Sequence, residues 1–107
     1  MVMEMVNGKL DRMMKLLSKK MDIIKGYKVK KIGIFGSVAN GTAKKGSDID
    51  ILVEFEEGGE SFSNLVHLHQ FLEETVGGKV DLVTSNGLSP YIGPYILKEV
   101  RFIEAAA

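Results

Sequence analysis

The chain has 107 residues, with 14 basic side chains against 14 acidic ones and no cysteine. Length sets the scale at one expected domain, residues 1–107, burying roughly two-thirds of its unfolded surface. The missing cysteine excludes a disulfide framework, a thiolate metal site and a cysteine nucleophile, and the balanced charge removes the field that draws in a long polyanion, so direct nucleic-acid binding is not expected.

The amino terminus, MVMEMVNGKLDRMMKLLSKKMD, breaks every apolar run with charge. It forms neither a signal-peptide core nor a membrane span, so no membrane partner and a cytoplasmic location are expected. From Val6 the apolar residues Leu10, Met13, Met14, Leu17, Met21 and Ile24 step by three, four and seven, which predicts one amphipathic helix whose methionine-rich stripe is core. Gly26 closes it. Val29 to Phe35, VKKIGIF, is β-branched and aromatic enough for a strand, stopped by Gly36-Ser37. Alternation puts Lys28 and Lys30 on one face, where they and Lys31 read as solvated charges without a role.

Asp48 to Phe55, DIDILVEF, is the second predicted strand, ended by Glu56-Glu57-Gly58-Gly59. A helix follows, with Phe62, Leu65, Val66, Leu72 and Val76 as its predicted apolar face and His69 on that face; Phe71 falls outside it. His67 and His69 diverge by about 200° on such a helix and cannot easily share a metal. Gly77-Gly78 ends the helix, and Lys79 to Thr84, KVDLVT, is a third strand, parallel to the second because a helical crossover joins them. Ser89 caps a short terminal helix with Pro90 at its first position, and Pro94 interrupts or restarts it before Ile96 to Val100. The final EAAA carries no signal. The expected class is α/β (α+β), a small mixed sheet flanked by helices.

Three features carry chemistry. The strand period of two sends Asp48 and Asp50 to one face and Ile49 and Ile51 to the other, and two converging carboxylates repel each other unless a cation compensates. All-oxygen ligands point to Mg²⁺ or Mn²⁺. Asp81 supplies a third carboxylate from the middle of an apolar strand, where an unpaired buried charge would be costly; if the second and third strands are neighbours, the three acids complete a site for two divalent ions. Gly36-Ser37, between a strand end and a short helix, offers backbone N–H groups and a hydroxyl to phosphate oxygens. The competing explanation, a solvated acidic strand edge, does not account for Gly-Ser, Asp-x-Asp and the third Asp together.

Ten residues separate Ser37 from Asp48, and the order strand, Gly-Ser, loop, Asp-x-Asp strand, helix, Asp strand resembles the DNA polymerase beta-like nucleotidyltransferase superfamily. GSVANGTAKKGSDIDILVEF, KVDLVT and LSPYIGPYIL are similar to its minimal nucleotidyltransferase (MNT) branch, whose members are often paired with HEPN-domain toxins. The likeness spans about residues 29–100. It implies the nucleotidyltransferase fold and ATP as substrate, with Gly36 and Ser37 engaging the triphosphate. It further implies that Asp48 and Asp50 bind both of two Mg²⁺ ions and that Asp81 binds the catalytic one and assists proton removal. The chain departs from the branch's common Gly-Ser-x-Ala-Arg-Gly at Asn40, which can keep a turn but supplies no bidentate cationic contact. Lys44 and Lys45 read as solvated loop charges, Glu54 lies outside the site, and Tyr91 and Tyr95 are expected to pack the terminal helix.

The resemblance implies transfer of AMP from ATP to a hydroxyl, with a tyrosine of a HEPN-type toxin as the favoured acceptor and antitoxin action as the result. The alternative is a weak or inactive antitoxin that neutralises a partner ribonuclease by binding. A small-molecule transferase lacks its expected acceptor-binding domain on a chain of this length. A nucleotide cleft leaves little surface for gripping a macromolecule, so a complex or a homo-oligomer is expected.

Overall fold

In a computed structural model, residues 8–103 are described. The helical reading of the first segment holds from Gly8 onward, but the segment is two helices, α1 (Gly8–Lys19) and α2 (Met21–Gly26). The chain departs from helical geometry at Lys20, whose N–H reaches back only three residues to the Leu17 carbonyl. Leu10, Met13, Leu17, Met21 and Ile24 are nevertheless all buried, so the stripe is core. Val6 lies outside the described residues.

Strand β1 (Val29–Phe35) has the expected bounds. Its entry is irregular: Lys28 takes a positive φ of 67°, and the register with the next strand shifts between Val29 and Lys31. Simple alternation therefore fails there, and Lys30 and Lys31 are both exposed. Lys30 pairs with Glu54 at 3.6 Å, and Lys31 lies 5.4 Å from the centre of the Phe102 ring. A five-residue helix, α3 (Gly36–Asn40), follows at once. Strand β2 (Ile49–Phe55) begins one residue after Asp48.

Helix α4 (Phe62–Val76) is capped by Ser61, whose hydroxyl accepts from the Asn64 N–H at 3.1 Å, and it ends on left-handed Gly77. The expected apolar face of α4 holds at Leu72, which is buried, and at Val76, which packs against the core, but fails at Phe62 and Val66. Leu68 and Leu72 are its buried residues, while Phe62 is 83% exposed and Val66 is exposed as well. Burial is decided by the sheet and by α1 beneath the helix, and Leu68, absent from the predicted stripe, sits at its centre. Phe71 covers a neighbouring element, with its ring centre 5.8 Å from that of Tyr27.

Strand β3 (Val80–Thr84) leads through a 3-10 turn (Ser85–Gly87) and further turns to α5 (Gly93–Glu99). Ser89 accepts from the Ile92 N–H at 3.1 Å but caps a turn, and Pro94 lies in the first turn of α5, which it starts instead of interrupting. Tyr91 and Tyr95 do not pack this helix into the fold: they are 86% and 74% exposed. A two-residue strand that periodicity does not reveal, β4 (Arg101–Phe102), closes the sheet.

The sheet order is β3-β2-β1-β4, with β1 antiparallel to β2 and β4 and with β2 parallel to β3. This is the mixed sheet expected. Its two faces differ. Ile32, Ile34, Ile49, Ile51, Val53 and Val80 join α1, α2 and α4 in the hydrophobic core. The opposite side chains, Phe35, Asp50, Leu52 and Asp81 among them, alternate onto the other face, away from that helical layer.

Candidate active site

The site is assembled on this second face by strand register. Asp50 and Asp81 are direct partners across the parallel β2–β3 pair, and Phe35 is the partner of Asp50 on its other side. Residues far apart in the chain thus bring two carboxyl groups together on one face. Asp81 is not the buried, costly charge that its apolar neighbours suggest. It is exposed on the edge strand, and the desolvated acid is Asp50.

The Asp50 carboxyl is raised above its ordinary value of 3.8, first by burial and then by the negative charges of Asp81 and Asp48. A hydrogen bond with the Asp81 side chain and the charge of Glu99 act in the same direction. Asp48, just outside β2, is exposed and stands at the rim of this cluster. Glu99, at the end of α5, is a participant that sequence reasoning missed; only the topology brings it near.

Gly36, the first residue of α3, closes the site where β1 ends. Its φ is +71°, and a side chain there would bring a Cβ to 2.1 Å from Asp50 Oδ2. Both the backbone conformation and the close approach require glycine. Ser37, half-buried, is the second residue of α3, and its carbonyl accepts from the N–H groups of Thr42 and Ala43 at 2.9 and 3.0 Å, folding the following loop back over the helix. Asn40 keeps the turn as expected. Its Oδ1 accepts from the N–H and hydroxyl of Thr42 at 3.0 and 2.6 Å, while its Nδ2 donates to Glu99 Oε1 at 2.9 Å.

Lys44 and Lys45 are exposed loop residues, and Glu54 is engaged by Lys30. His67 is exposed and His69 lies at the core edge. His69 has a further position that a helical wheel does not disclose. Its Nε2 is 2.7 Å from the Val80 carbonyl, and Glu73 Oε2 accepts the Val80 N–H at 3.0 Å. Two residues one turn apart on α4 thus hold the peptide groups of the residue before Asp81. Beside them a groove of about 390 Å³ is lined by Leu65, Val66, His69, Val80, Asp81 and Leu82.

The donor set suits a hard cation. Asp50 and Asp81, which meet only by sharing a proton or by binding a positive charge, offer oxygen ligands alone. Among the described residues no three His, Cys, Asp or Glu side chains are gathered into a cage that could hold an ion by itself. Mg²⁺ does not need one, since it is ordinarily held by one or two carboxylates together with water and substrate phosphates.

A sheet with paired aspartates beside a glycine-serine turn is the framework of a nucleotidyltransferase, and a family model described as the nucleotidyltransferase domain matches residues 14–103. The chain belongs to that family, in its minimal nucleotidyltransferase branch. It is 39% identical over 88 residues to the protein adenylyltransferase MntA of Thermococcus cleftensis, covering 82% of this chain and 88% of that protein. A solved structure described as a candidate minimal nucleotidyltransferase is similar with a TM-score of 0.71 and 31% identity, over 90% of this chain and 93% of that one. A toxin–antitoxin complex containing MntA gives 0.62 and 26%, over 82% of this chain and 73% of that one. No described helix is long and apolar enough to cross a membrane.

Proposed function

We propose that this chain transfers AMP from ATP to a hydroxyl of a protein partner, a HEPN-type toxin with tyrosine as the acceptor, and so acts as an antitoxin. The observation that carries the reading is the meeting of Asp50 with Asp81 across parallel strands, with the Gly36 turn pressed against the same carboxyl. The adenylyltransferase relative and the toxin–antitoxin complex support the choice of AMP and of a toxin partner.

In this reading Asp48, Asp50 and Asp81 would hold Mg²⁺, Asp50 and Asp81 from the paired strands and Asp48 from the rim. The metal, when bound, supplies charge neutralisation at the phosphates and lowers the pKa of the attacking hydroxyl. Gly36 lets the triphosphate approach the backbone closely, and the Ser37 hydroxyl donates to a phosphate oxygen. The acceptor oxygen bonds to the α-phosphorus as the bond to the departing pyrophosphate breaks. Asp81, exposed on the edge strand, takes the hydroxyl proton.

A second reading, neutralisation by occlusion alone, uses the same exposed apolar side chains of Tyr91, Ile92, Tyr95 and Leu97, which suit docking whether or not transfer follows. The experiment mixes wild type or Asp81→Asn with the cognate toxin and Mg-ATP and follows toxin mass, complex formation and RNA cleavage. Transfer predicts an AMP-sized mass increase that Asp81→Asn loses while the complex survives. Silencing by both proteins with no mass change would establish occlusion instead. Calorimetry should show weaker Mg-ATP binding by Asp48→Asn and Asp50→Asn, the latter more affected because Asp50 lies at the centre of the cluster.

A further inference from the structure

Asn40 and Glu99 are the last residues of α3 and α5, 59 positions apart in the chain, and they are joined by one hydrogen bond of 2.9 Å. The bond is exposed to solvent, and three observations give it a place in the architecture of the site. First, the Asn40 amide is fixed from behind: its oxygen accepts from both the N–H and the hydroxyl of Thr42, which aims the Nδ2 group at Glu99. Second, the same Thr42 N–H also lies 2.9 Å from the Ser37 carbonyl. Hydrogen bonds therefore run without a gap from the Glu99 carboxylate through Asn40 and Thr42 to Ser37. Third, Glu99 stands close enough to Asp50 for the two negative charges to repel.

We propose that Asn40 and Glu99 are positioning residues that hold α5 against the Gly36-Ser37 turn and thereby set the affinity for the nucleotide, not the rate of transfer. Because α3 is only five residues long, fixing its last residue fixes its first, where the triphosphate is to be received. Asparagine at this position provides both a donor for Glu99 and an acceptor for Thr42; an arginine has donors only. The inference rests on the nucleotidyltransferase reading of the site.

The test compares wild type with Asn40→Ala, Glu99→Ala, the double variant and Glu99→Gln. The readouts are Mg-ATP affinity, KM and kcat for AMP transfer, and amide hydrogen exchange across residues 36–43 and 96–103 of the free protein. Each alanine variant should raise KM by about threefold to tenfold, the span expected when a net hydrogen bond is lost, with kcat changed by less than about twofold. The double variant should be no worse than either single one, since both remove the same bond. Glu99→Gln keeps an acceptor oxygen and should stay within about twofold of wild type in KM. Exchange should quicken in both segments in the alanine variants.

Additive effects of the two alanines, an unchanged KM, a loss confined to kcat, or unchanged exchange would overturn the proposal. So would a fall in thermal stability with unaltered nucleotide affinity. Wild type that fails to bind Mg-ATP would overturn the transferase reading itself. Wild type that binds while the variants match it would overturn only this inference.

Discussion

Asp50 places function and stability in opposition at a single residue. Its carboxyl is raised by burial first and by Asp81, Asp48 and Glu99 after that. Between the ordinary value of 3.8 and its raised value, the folded chain keeps a proton that the unfolded chain has released. The folded state consequently loses stability as pH rises through that window, and below about pH 3.8 the contribution is fully present. Asp50→Asn abolishes this dependence. In metal-free buffer the variant should melt a few degrees higher than wild type at pH 7, with the gap closing toward acid. A lower melting point for the variant at pH 7 would show that the charge is not the strained element. Gly36→Ala tests the other side of the contact. A left-handed φ costs a residue with a side chain roughly 1–2 kcal/mol, and the new Cβ would collide with Asp50 Oδ2. Lower stability and about a tenfold loss in Mg-ATP affinity, ~1.4 kcal/mol, are expected by melting and calorimetry.

At the level of elements, the strands that carry the acids were legible because strand chemistry is local. VKKIGIF and DIDILVEF announce themselves by β-branching and by the breaks that follow them, and the parallel pairing of β2 with β3 follows from the helix between them. What was not legible depends on tertiary context. The buried face of α4 centres on Leu68 because α1 and the sheet lie beneath it, and a wheel drawn through Phe62 and Val66 has no access to that fact. Asp81 read as buried because its neighbours in sequence are apolar, yet its strand is the edge of the sheet. Glu99 and Asn40 meet only through the return of α5. Strand β4 is too short for any period, and the sequence hint for it is a glycine in another strand. A Cβ on Gly33 would lie 2.7 Å from Val100 Cγ2 and 2.8 Å from the Arg101 carbonyl, so Gly33 is what lets β4 approach β1. Gly33→Ala should destabilise the protein by about 1–3 kcal/mol, as overpacking does, with hydrogen exchange accelerated first at residues 100–103.

For the molecule as a whole, the layering governs what can reach the site. Helices α1, α2 and α4, with Val38 and Ala39 of α3, supply the helical side of the core, and the carboxylates alternate onto the opposite face of the sheet. Beside Asp81 the described residues form a groove of about 390 Å³, and a net charge of zero supplies no long-range field with which to select an acceptor. In the proposed reaction docking supplies the selection, and Tyr91, Ile92, Tyr95 and Leu97 are the exposed apolar side chains offered for it.

The two bonds from α4 to Val80 bear on how the protein behaves in concentrated solution. The N–H and C=O of Val80 are turned away from β2, at the free margin of the sheet, where an unpaired strand can recruit a strand from another molecule. Glu73 and His69 occupy both groups, so the margin begins with a peptide that has nothing left to offer a newcomer. Replacing both side chains with alanine would expose that template while leaving the carboxylates in place. Light scattering during slow heating should then rise at a lower temperature than in wild type, and the growth should be faster at higher protein concentration. Scattering curves that coincide would show that the margin is protected by other means. On this view the pair of residues beside the site keeps the edge of the sheet from templating self-association.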